Sequence, residues 1–453
     1  MTHSDTDVIV IGLGPGGGEV ASGLLAGGLD VVGVERELVG GECPYWGCIP
    51  SKMLVRAADA LAEARRVPML AGDAHVQADL APVARRIREQ ATDDWDDAVA
   101  VARFEKAGGR FLRGSARVED RARVRVGDEI VYARVGVVVA TGARPVRPPI
   151  PGLDAAGYWT NREAIAAQGA PSSLLVLGGG AIGLELAQAF ARFGTSVTVV
   201  EGADRVLPAE EPDASAVVAE ALRADGVQVC TGRRAVSVAT TDGQTETTLD
   251  DGTVLGTEKL LVAVGRRPDA RGLGLEHYGL EGPAVPVDSR MRAAPGLWAV
   301  GDVTGGGAFT HLAVHQARIA VADILGREPV EAADAPLPRV TFVDPEVGSV
   351  GLTEAAARAA GLRVLVGCAP VAASARGFVH GPGTAGLVKL VVDAGRGLLV
   401  GATAVGPAGG EVIGMLALAV HARIPIRTLR SMILAYPTFH RGVLDAFAAL
   451  EQE

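Results

Sequence analysis

Two cysteines stand five residues apart in the segment Gly40-Gly-Glu-Cys43-Pro-Tyr-Trp-Gly-Cys48-Ile-Pro-Ser-Lys52. A helix N-terminus and a nearby lysine stabilise a thiolate, so the pKa of such a thiol falls below its usual value of about 8.5. The segment is expected to begin a helix, which places Cys48 and Lys52 in this situation. The pattern therefore predicts a dithiol capable of thiol–disulfide exchange.

The cysteine pair has two other interpretations: two unrelated buried thiols, or half of a zinc site. A zinc site needs two further ligands. Cys230 and Cys368 stand alone in strand-like runs without a neighbouring histidine. We therefore predict no metal site.

Composition and charge narrow the range of partners. The net charge of −10, without a Lys/Arg cluster, argues against a nucleic-acid partner. The longest apolar stretch near the C-terminus, Val412 to Val420, contains a glycine and is too short to span a bilayer, so no membrane partner is expected. The first residues lack a basic stretch followed by a long apolar run. No secretory signal is therefore predicted, the location is expected to be cytoplasmic, and a structural disulfide is disfavoured.

The elements that position this chemistry include two copies of a strand–glycine turn–helix–strand unit. The first glycine of each fingerprint makes the turn, the second lets the main chain approach a pyrophosphate, and the third lets the helix pack closely. An acidic residue twenty-three positions after the first glycine suits a ribose diol. The residues are Gly12, Gly14, Gly17 and Glu35 in the first copy, and Gly178, Gly180, Gly183 and Glu201 in the second. The repeat predicts two bound dinucleotides, with phosphates at the helix N-termini.

Glu201 bears on which nicotinamide nucleotide binds. A carboxylate repels a 2′-phosphate and suits a free 2′-hydroxyl, so NADH is favoured. Arg205, four residues further on, weakens that preference and leaves NADPH possible.

A chain of 453 residues is too long for one core and suggests two to four domains. The Pro-rich passage Arg144 to Gly152 is typical of a linker, the second nucleotide unit is expected to end near Gly265 to Pro268, and Ala332 to Pro338 marks a further boundary. Asp79 to Ala107 is predicted to be helical. The C-terminal remainder alternates strand-like and helical runs, which predicts a third, α+β domain.

Taken together, these segments resemble the class I pyridine nucleotide–disulfide oxidoreductases, a family that includes dihydrolipoamide dehydrogenase, glutathione reductase and mercuric reductase. Gly40 to Lys52 resembles the active-site pattern Gly-Gly-x-Cys-x4-Cys-x-Pro-x-Lys of that family. Further matching segments are Ala140 to Pro145, Gly265 to Pro268, Leu297 to Asp302 and Asp344 to Thr353. The resemblance covers nearly the whole chain.

The resemblance implies an α/β fold with two Rossmann-type dinucleotide-binding domains and a C-terminal α+β dimerisation domain. The implied divisions are an FAD-binding domain at 1–150 and 271–333, an NAD(P)-binding domain at 151–270 and a dimerisation domain at 334–453. It also implies a homodimer whose active sites are shared across the subunits.

The resemblance also implies residue roles. FAD would be held by the first fingerprint together with Gly41, Lys52, Thr141, Gly142 and Asp302, and NAD(P)H by the second together with Gly265. Cys48 would face the flavin, and Cys43 would attack the substrate. Lys52 and Glu185 would pair near the flavin, where hydride arrives; the alternative for Glu185 is an exposed helix carboxylate.

The chain departs from the family near its C-terminus. Most disulfide reductases of the family carry His-Pro-Thr-x-x-Glu, whose histidine shuttles protons in the partner subunit's active site. Here Tyr436 replaces that histidine and Arg441 replaces the glutamate. A tyrosine titrates near pH 10 and is a poor proton shuttle at neutral pH. His440 could substitute only if the segment rotates, because neighbouring helical residues point about 100° apart.

Mercuric reductases also place a tyrosine near this position, but they add a C-terminal cysteine pair that this chain lacks. The insert Pro44-Tyr45-Trp46 is bulkier than the usual sequence between the cysteines, and Trp46 either packs or faces substrate.

The sequence therefore predicts an FAD-dependent NAD(P)H oxidoreductase that passes electrons through FAD to a Cys43/Cys48 redox disulfide. The predicted acceptor is a small disulfide or thiol-reactive molecule. The alternatives are a quinone, dye or metal-ion reductase that uses the flavin directly, and a flavin-loaded sensor or binding protein.

Overall fold

A computed structural model describes residues 2–241, 243–330 and 333–450. The chain divides into two compact units. The first comprises residues 1–50, 85–146 and 265–335, and the second comprises residues 51–84, 147–264 and 336–453.

The first unit is organised around an eight-stranded sheet. The apolar run Val8 to Ile11 forms its centre and pairs in parallel with Val31–Glu35 on one side and Glu129–Val139 on the other. Strands buried on both faces have such continuous apolar sequences. The sheet contains Thr2–Ile11, Val31–Glu35, Arg110–Arg113, Ala116–Val118, Arg123–Val126, Glu129–Val139, Arg292–Ala294 and Leu297–Ala299. A separate antiparallel pair joins Ala143–Pro145 to Arg266–Pro268.

Helices flank this sheet and carry the redox segment. Pro15–Ala26 follows the first glycine turn, and its Gly16 lies against the Ala313 side chain of the helix Thr310–Ile324. The other helical segments are Glu42–Tyr45, Ile87–Ala91, Ala98–Lys106, Leu275–Tyr278 and Gly301–Thr304, and Asp93–Trp95 is a left-handed turn. Cys48–Arg66 begins in this unit and continues into the second, whereas Ala81–Arg86 begins in the second unit and ends in the first.

In the part of the second unit that the structure describes, the strands form three sheets. A four-stranded parallel sheet has the order Gln228–Thr231, Ser196–Glu201, Ser173–Leu177, Lys259–Val262. An antiparallel meander follows, with strands Ala235–Thr241, Gln244–Leu249 and Val254–Thr257. The third sheet is antiparallel, in the order Arg339–Thr341, Glu346–Gly351, Leu398–Gly406, Leu387–Asp393, Val364–Pro370.

Helices cover the parallel sheet and the C-terminal sheet of the second unit. They are Val67–Met69, Asp154–Ala156, Asn161–Ala166, Ala181–Arg192, Pro212–Ala224, Glu354–Ala359, Val371–Ala373, Ala375–His380, Gly409–His421, Ile426–Arg430, Phe439–Arg441 and Gly442–Ala448. Across the described ranges, no helix is long and apolar enough to cross a membrane.

The predicted fold class is confirmed: two α/β sheets with parallel central strands, each with a glycine turn, are accompanied by an α+β region. The helical prediction for Asp79 to Ala107 is correct only in part, because residues 93–95 form a left-handed turn between its helices. The two compact units do not separate the second nucleotide fold from the C-terminal sheet. The four-part division therefore stays a prediction, and Ala332, the first residue of the predicted boundary segment Ala332 to Pro338, lies outside the described residues.

A buried arginine ties several elements of the second unit together. Arg192 is 2% exposed and ends the helix that follows the second glycine turn. Its guanidinium lies 2.6 Å from Asp59, 2.9 Å from Asp225 and 2.6 Å from Asp344. Burial raises the pKa of Asp344, but the charges of Arg192 and Arg66 outweigh it and hold that pKa below its usual value. Burial dominates at Asp59 and raises its pKa to about 6.

We predict that Arg192→Met lowers the free energy of unfolding by about 3–5 kcal/mol, because it leaves Asp59 and Asp225 without their cation and Asp344 with Arg66 alone. Arg358→Met is the matched control, since Arg358 is exposed and pairs only at the surface, where a loss of about 1 kcal/mol or less is expected. Chemical unfolding of both variants gives the comparison. Equal losses would contradict the structural importance of the buried arginine.

Candidate active site

The first glycine turn brings main chain against main chain. Gly12 has a φ of 95°, in the left-handed region, and a Cβ atom there would overlap the carbonyl oxygen of Ala140. A Cβ atom at Gly17 would overlap the carbonyl oxygen of Gly12. At Gly14, the first helix begins with an open N-terminus, and a Cβ atom there would come no closer than 4.0 Å to its nearest neighbour, Gly41. The turn therefore keeps its helix close to the strand and leaves amide groups accessible to a phosphate.

The glutamate of each nucleotide fingerprint accepts hydrogen bonds from the main chain, one from the glycine turn and one from the residue two positions after the glutamate. Both Glu35 oxygens accept backbone N–H bonds of 2.9 Å, from Leu13 and Glu37. Glu201 accepts equivalent bonds from Gly179 at 2.6 Å and Ala203 at 2.7 Å. These bonds fix each carboxylate at the end of its strand, where a ribose diol is expected.

The second glycine turn repeats the construction of the first. Gly178 has a φ of 111°, and its Cβ atom would overlap the carbonyl oxygen of Ala263. A Cβ atom at Gly183 would overlap the carbonyl oxygen of Gly178, whereas one at Gly180 would meet nothing within 4 Å. Gly265, also predicted to contact the nucleotide, has a φ of 117° and the same open surroundings.

The first unit also has polar groups that fit a flavin dinucleotide. The Thr141 hydroxyl oxygen is buried and accepts no hydrogen bond from any residue in the described ranges. Gly142 follows with a φ of 72° and no atom within 4 Å of its Cβ direction. Burial raises the pKa of the Asp302 carboxyl, and the nearby Arg266 opposes that shift. An unpartnered hydroxyl beside an open glycine turn, with a carboxylate in the same unit, fits the hydroxyl groups and phosphates of FAD.

The redox loop packs directly on the first turn. Gly40 and Gly41 have φ angles of 113° and 66°, which favour glycine, and they lead into the short helix that carries Cys43. A Cβ atom at Gly41 would lie 2.8 Å from the Cα atom of Gly14. Glycine at both positions therefore lets the dithiol segment lie against the nucleotide turn.

The structure brings the two predicted cysteines together as thiols. Cys43 lies on the helix Glu42–Tyr45, and Cys48 is the first residue of Cys48–Arg66. Hydrogen bonding between the two thiols, reinforced by burial, raises the pKa of Cys43 above its usual value. Cys48 lies at the N-terminus of its helix, the positive end of the helix dipole. The pair can form a disulfide and can present one sulfur as a nucleophile.

Thr310 is a further contact of the dithiol. Its hydroxyl oxygen lies 3.3 Å from the Cys48 sulfur, and its influence on Cys43 opposes the rise of that thiol's pKa. The hydroxyl therefore stabilises negative charge on the sulfurs. Sequence reasoning missed Thr310 because it lies 262 residues from Cys48 and belongs to no redox motif.

Lys52 and Glu185 form the predicted pair. The Lys52 Nζ atom lies 2.6 Å from Glu185 Oε2, and the Glu185 side chain is 5% exposed. The other Glu185 oxygen accepts a 2.8 Å bond from the backbone N–H of Phe342, whose ring lies 4.8 Å from the ammonium. The alternative of an exposed helix carboxylate is therefore wrong. Phe342 was not predicted, and its adjacency to the matching segment Asp344 to Thr353 was the only sequence signal.

Arg266 is another site residue that the sequence did not single out. Its guanidinium donates to the carbonyl oxygen of Ala143 at 2.6 Å and lies 3.4 Å from the Glu42 carboxylate. It thereby ties the Gly265 segment to the residue before Cys43. Its presence in the Gly-Arg-Arg-Pro segment was the available signal.

The C-terminal segment keeps its predicted departure from the family. Tyr436 is 69% exposed, and the Arg441 guanidinium lies 5.3 Å from the centre of its ring. His440 is half-buried in the short helix Phe439–Arg441. The roles of Tyr436 and His440 in catalysis stay predictions.

Comparison with known proteins identifies the family. Residues 6–317 match the family described as pyridine nucleotide-disulphide oxidoreductase, and residues 337–447 match its dimerisation domain. The chain belongs to the pyridine nucleotide-disulphide oxidoreductase family. Members of this family use FAD and NAD(P)H, and the chain is an FAD-dependent NAD(P)H oxidoreductase of the flavoprotein disulfide reductase type. Its dimerisation domain supports a homodimer.

Relatives within this family match over the full chain. A dihydrolipoyl dehydrogenase of Chlorobaculum tepidum is 37% identical, covering 100% of this chain and 99% of the relative. A mercuric reductase of Acidithiobacillus ferrooxidans is 33% identical, covering 98% of this chain and 82% of the relative. Among solved structures, a Cu(II) complex of the HOCl-induced flavoprotein disulfide reductase RclA from Escherichia coli has a TM-score of 0.85 at 28% identity, covering 100% of both chains.

The second glycine turn allows binding to be separated from stability. Gly180→Ala places a methyl group in open space, so the free energy of unfolding should change by about 0.5 kcal/mol or less while NADH binds about tenfold more weakly. Gly183→Ala should cost about 1–3 kcal/mol of stability, because its methyl group overlaps the turn itself. Chemical unfolding and NADH titration measure the two effects. Unchanged NADH binding in Gly180→Ala would show that the pyrophosphate does not approach this turn.

Proposed function

We propose that Cys48 is the thiol that faces the flavin and that Cys43 is the thiol that attacks substrate. The surroundings of Cys48 carry this assignment, because its sulfur lies at a helix N-terminus and 3.3 Å from the Thr310 hydroxyl oxygen, and both favour negative charge on that sulfur. The raised pKa of Cys43, caused by hydrogen bonding to Cys48 and by burial, supports the same assignment. The first glycine turn, Thr141 and Asp302 would hold FAD, which would supply the two-electron chemistry between NAD(P)H and the Cys43–Cys48 disulfide.

Lys52 and Glu185 have a positioning and electrostatic role in this proposal. The buried carboxylate of Glu185 is held by the Phe342 amide, so it fixes the Lys52 ammonium in one place. A fixed cation favours negative charge nearby without rearranging during the reaction. The family resemblance supports a position for this pair near the flavin, where hydride would arrive.

NADH is the proposed electron donor. The carboxylate of Glu201 is fixed by two backbone N–H groups at the end of its strand, where it suits a 2′-hydroxyl and repels a 2′-phosphate. The Arg205 side chain donates instead to the carbonyl oxygens of Leu207 and Pro208, at 3.1 and 2.9 Å. With Arg205 engaged there, the carboxylate determines the preference.

Single cysteine variants test the assignment of the two sulfurs. Reduction by one equivalent of NADH should give a long-wavelength absorbance band from the Cys48 thiolate beside oxidised flavin. Cys48→Ser should abolish the band, and Cys43→Ser should show it before any reduction, because Cys48 can then form no disulfide. Cys368→Ser, which changes an exposed thiol of the C-terminal sheet, is the matched control and should behave as the wild type. The opposite behaviour of the two active-site variants would reverse the assignment.

The proposed acceptor is a small disulfide or thiol-reactive molecule that the Cys43 sulfur attacks. Its site is completed by the C-terminal segment of the partner subunit, and the proposed location is the cytoplasm. This segment carries Tyr436 and Arg441 in place of an imidazole and a carboxylate. An acceptor that needs no general acid on its leaving thiol is therefore favoured over an ordinary alkyl disulfide.

A metal ion or quinone is the second candidate acceptor. Tyr436, together with the mercuric reductase relative and the Cu(II) complex of RclA, favours it. Such an acceptor takes electrons directly from the flavin without a proton relay, so the replaced histidine would be no disadvantage. The two candidates differ in whether Cys43 is essential for turnover.

Variants at Tyr436 should distinguish acceptors whose reduction needs a proton donor from acceptors whose reduction does not. General acid–base assistance contributes about 10²–10⁴-fold to a rate, so wild-type protein should reduce lipoamide and glutathione disulfide poorly. Tyr436→His combined with Arg441→Glu should raise turnover of these disulfides about 10²-fold and leave dye reduction nearly unchanged. Tyr436→His alone should help less, because Arg441 lies over this position and disfavours an imidazolium.

The matched control is Tyr132→His, at an exposed tyrosine of the first unit's sheet, which should change neither rate. Wild-type reduction of an ordinary disulfide at the rate of the double variant would contradict the proposal. His440→Ala would then test whether His440 is the proton shuttle.

A further inference from the structure

Trp95 packs against the segment Pro44-Tyr45-Trp46, which lies between the two cysteines. The indole rings of Trp46 and Trp95 stack, with centroids 5.1 Å apart and planes inclined by 18°. The Trp95 indole N–H also donates to the backbone carbonyl of Tyr45, at 3.3 Å. Trp95 therefore contacts two successive residues of the redox loop, Tyr45 and Trp46. The Tyr45 side chain is buried.

The backbone that presents Trp95 is in an unfavourable conformation. Asp93, Asp94 and Trp95 have φ angles of 50°, 54° and 60°, so three successive non-glycine residues occupy the left-handed region. Side chains disfavour this region, and such conformations persist only where surrounding contacts enforce them. A π-helical turn at Ile87–Ala91 comes just before, closed by hydrogen bonds from the Thr92 hydroxyl. Both irregularities lie in the segment from which Trp95 contacts the redox loop.

The same segment is anchored beside the loop by a buried carboxylate. Asp97 is 8% exposed and accepts a 2.6 Å bond from the backbone N–H of Val39. Arg113 donates to the same oxygen at 2.6 Å. Residues 92–97 thus hold the loop at Val39, before its glycines, and again at Tyr45 and Trp46, between its cysteines.

We propose that Trp95 is a positioning residue that sets the redox potential of the Cys43/Cys48 pair. It touches neither sulfur and acts through the Trp46 ring and the Tyr45 carbonyl. Holding these two groups restricts the five-residue step between the cysteines, which keeps the sulfurs within bonding reach and stabilises the disulfide. The inference rests on the proposed redox pair but not on the identity of the acceptor.

The test is equilibration with reduced and oxidised dithiothreitol. One protein disulfide and one dithiothreitol dithiol exchange for one protein dithiol and one cyclic dithiothreitol disulfide, with two electrons and two protons transferred. Alkylation and mass spectrometry of the Cys43/Cys48 peptide give the oxidised fraction. Trp95→Ala should lower the equilibrium constant for disulfide formation about tenfold, which raises the potential by about 30 mV.

Two further changes at Trp95 separate its contacts. Trp95→Phe keeps an aromatic ring against Trp46 and loses only the N–H bond, so the equilibrium constant should fall by about two- to threefold. Trp95→Leu fills space without stacking and should approach the tenfold loss, which keeps the test available if the alanine variant does not fold. Val99→Ala, at an exposed residue of the following helix, is the control for the segment and should match the wild type.

A double-mutant cycle tests the route. If Trp95 acts through Trp46, the combined effect of Trp46→Ala and Trp95→Ala should be smaller than the sum of the single effects. Additive effects, or wild-type equilibrium constants in folded Trp95→Ala and Trp95→Leu, would overturn the inference. A wild type in which dithiothreitol leaves Cys43 and Cys48 unchanged would instead overturn the redox-pair assignment, and the inference with it.

Discussion

The close approach of main chain to main chain at the glycine turns is the constraint on which the site depends. A side chain at Gly12 would overlap the carbonyl oxygen of Ala140, and one at Gly178 would overlap that of Ala263. At Gly41 it would press on the Cα atom of Gly14. These contacts keep each helix start open to a phosphate and seat the redox loop on the first turn. The positions of the Cys43 and Cys48 thiols therefore depend on these glycines, since a side chain there would push the redox loop away from the first turn.

In the second unit, three buried polar side chains of one helix hold the charged groups around them. Glu185, Gln188 and Arg192 follow one another on the helix Ala181–Arg192, and all three are buried. Glu185 holds the Lys52 ammonium, while Gln188 bonds both the N–H and the carbonyl of Asp344. Since Arg192 binds the Asp344 carboxylate as well, the same helix fixes the ammonium and the start of the C-terminal sheet.

The two nucleotide folds could be predicted from sequence because their determinants are local. Glycine spacing, the apolar strand before it and the acidic residue after it lie within one short segment, and each has a backbone reason. The cysteine pair could be predicted for the same reason, because Cys43, Cys48 and Lys52 lie within one short segment. The contacts that complete the site are not local: Thr310 lies 262 residues from Cys48, and Phe342 lies 157 residues from Glu185. The turn at Asp93–Trp95 was hidden because non-glycine residues seldom adopt left-handed angles, and its charged surroundings favour a helix.

Electrons from the nicotinamide should reach the Cys43/Cys48 pair. In the experiment, the free thiols of oxidised protein are blocked with one alkylating reagent, one equivalent of NADH is added without oxygen, and the newly formed thiols are labelled with a second reagent. Mass spectrometry should find the second label on Cys43 and Cys48, while Cys230 and Cys368 carry the first. Consumption of NADH with no second label on the pair would show that the electrons do not reach these cysteines.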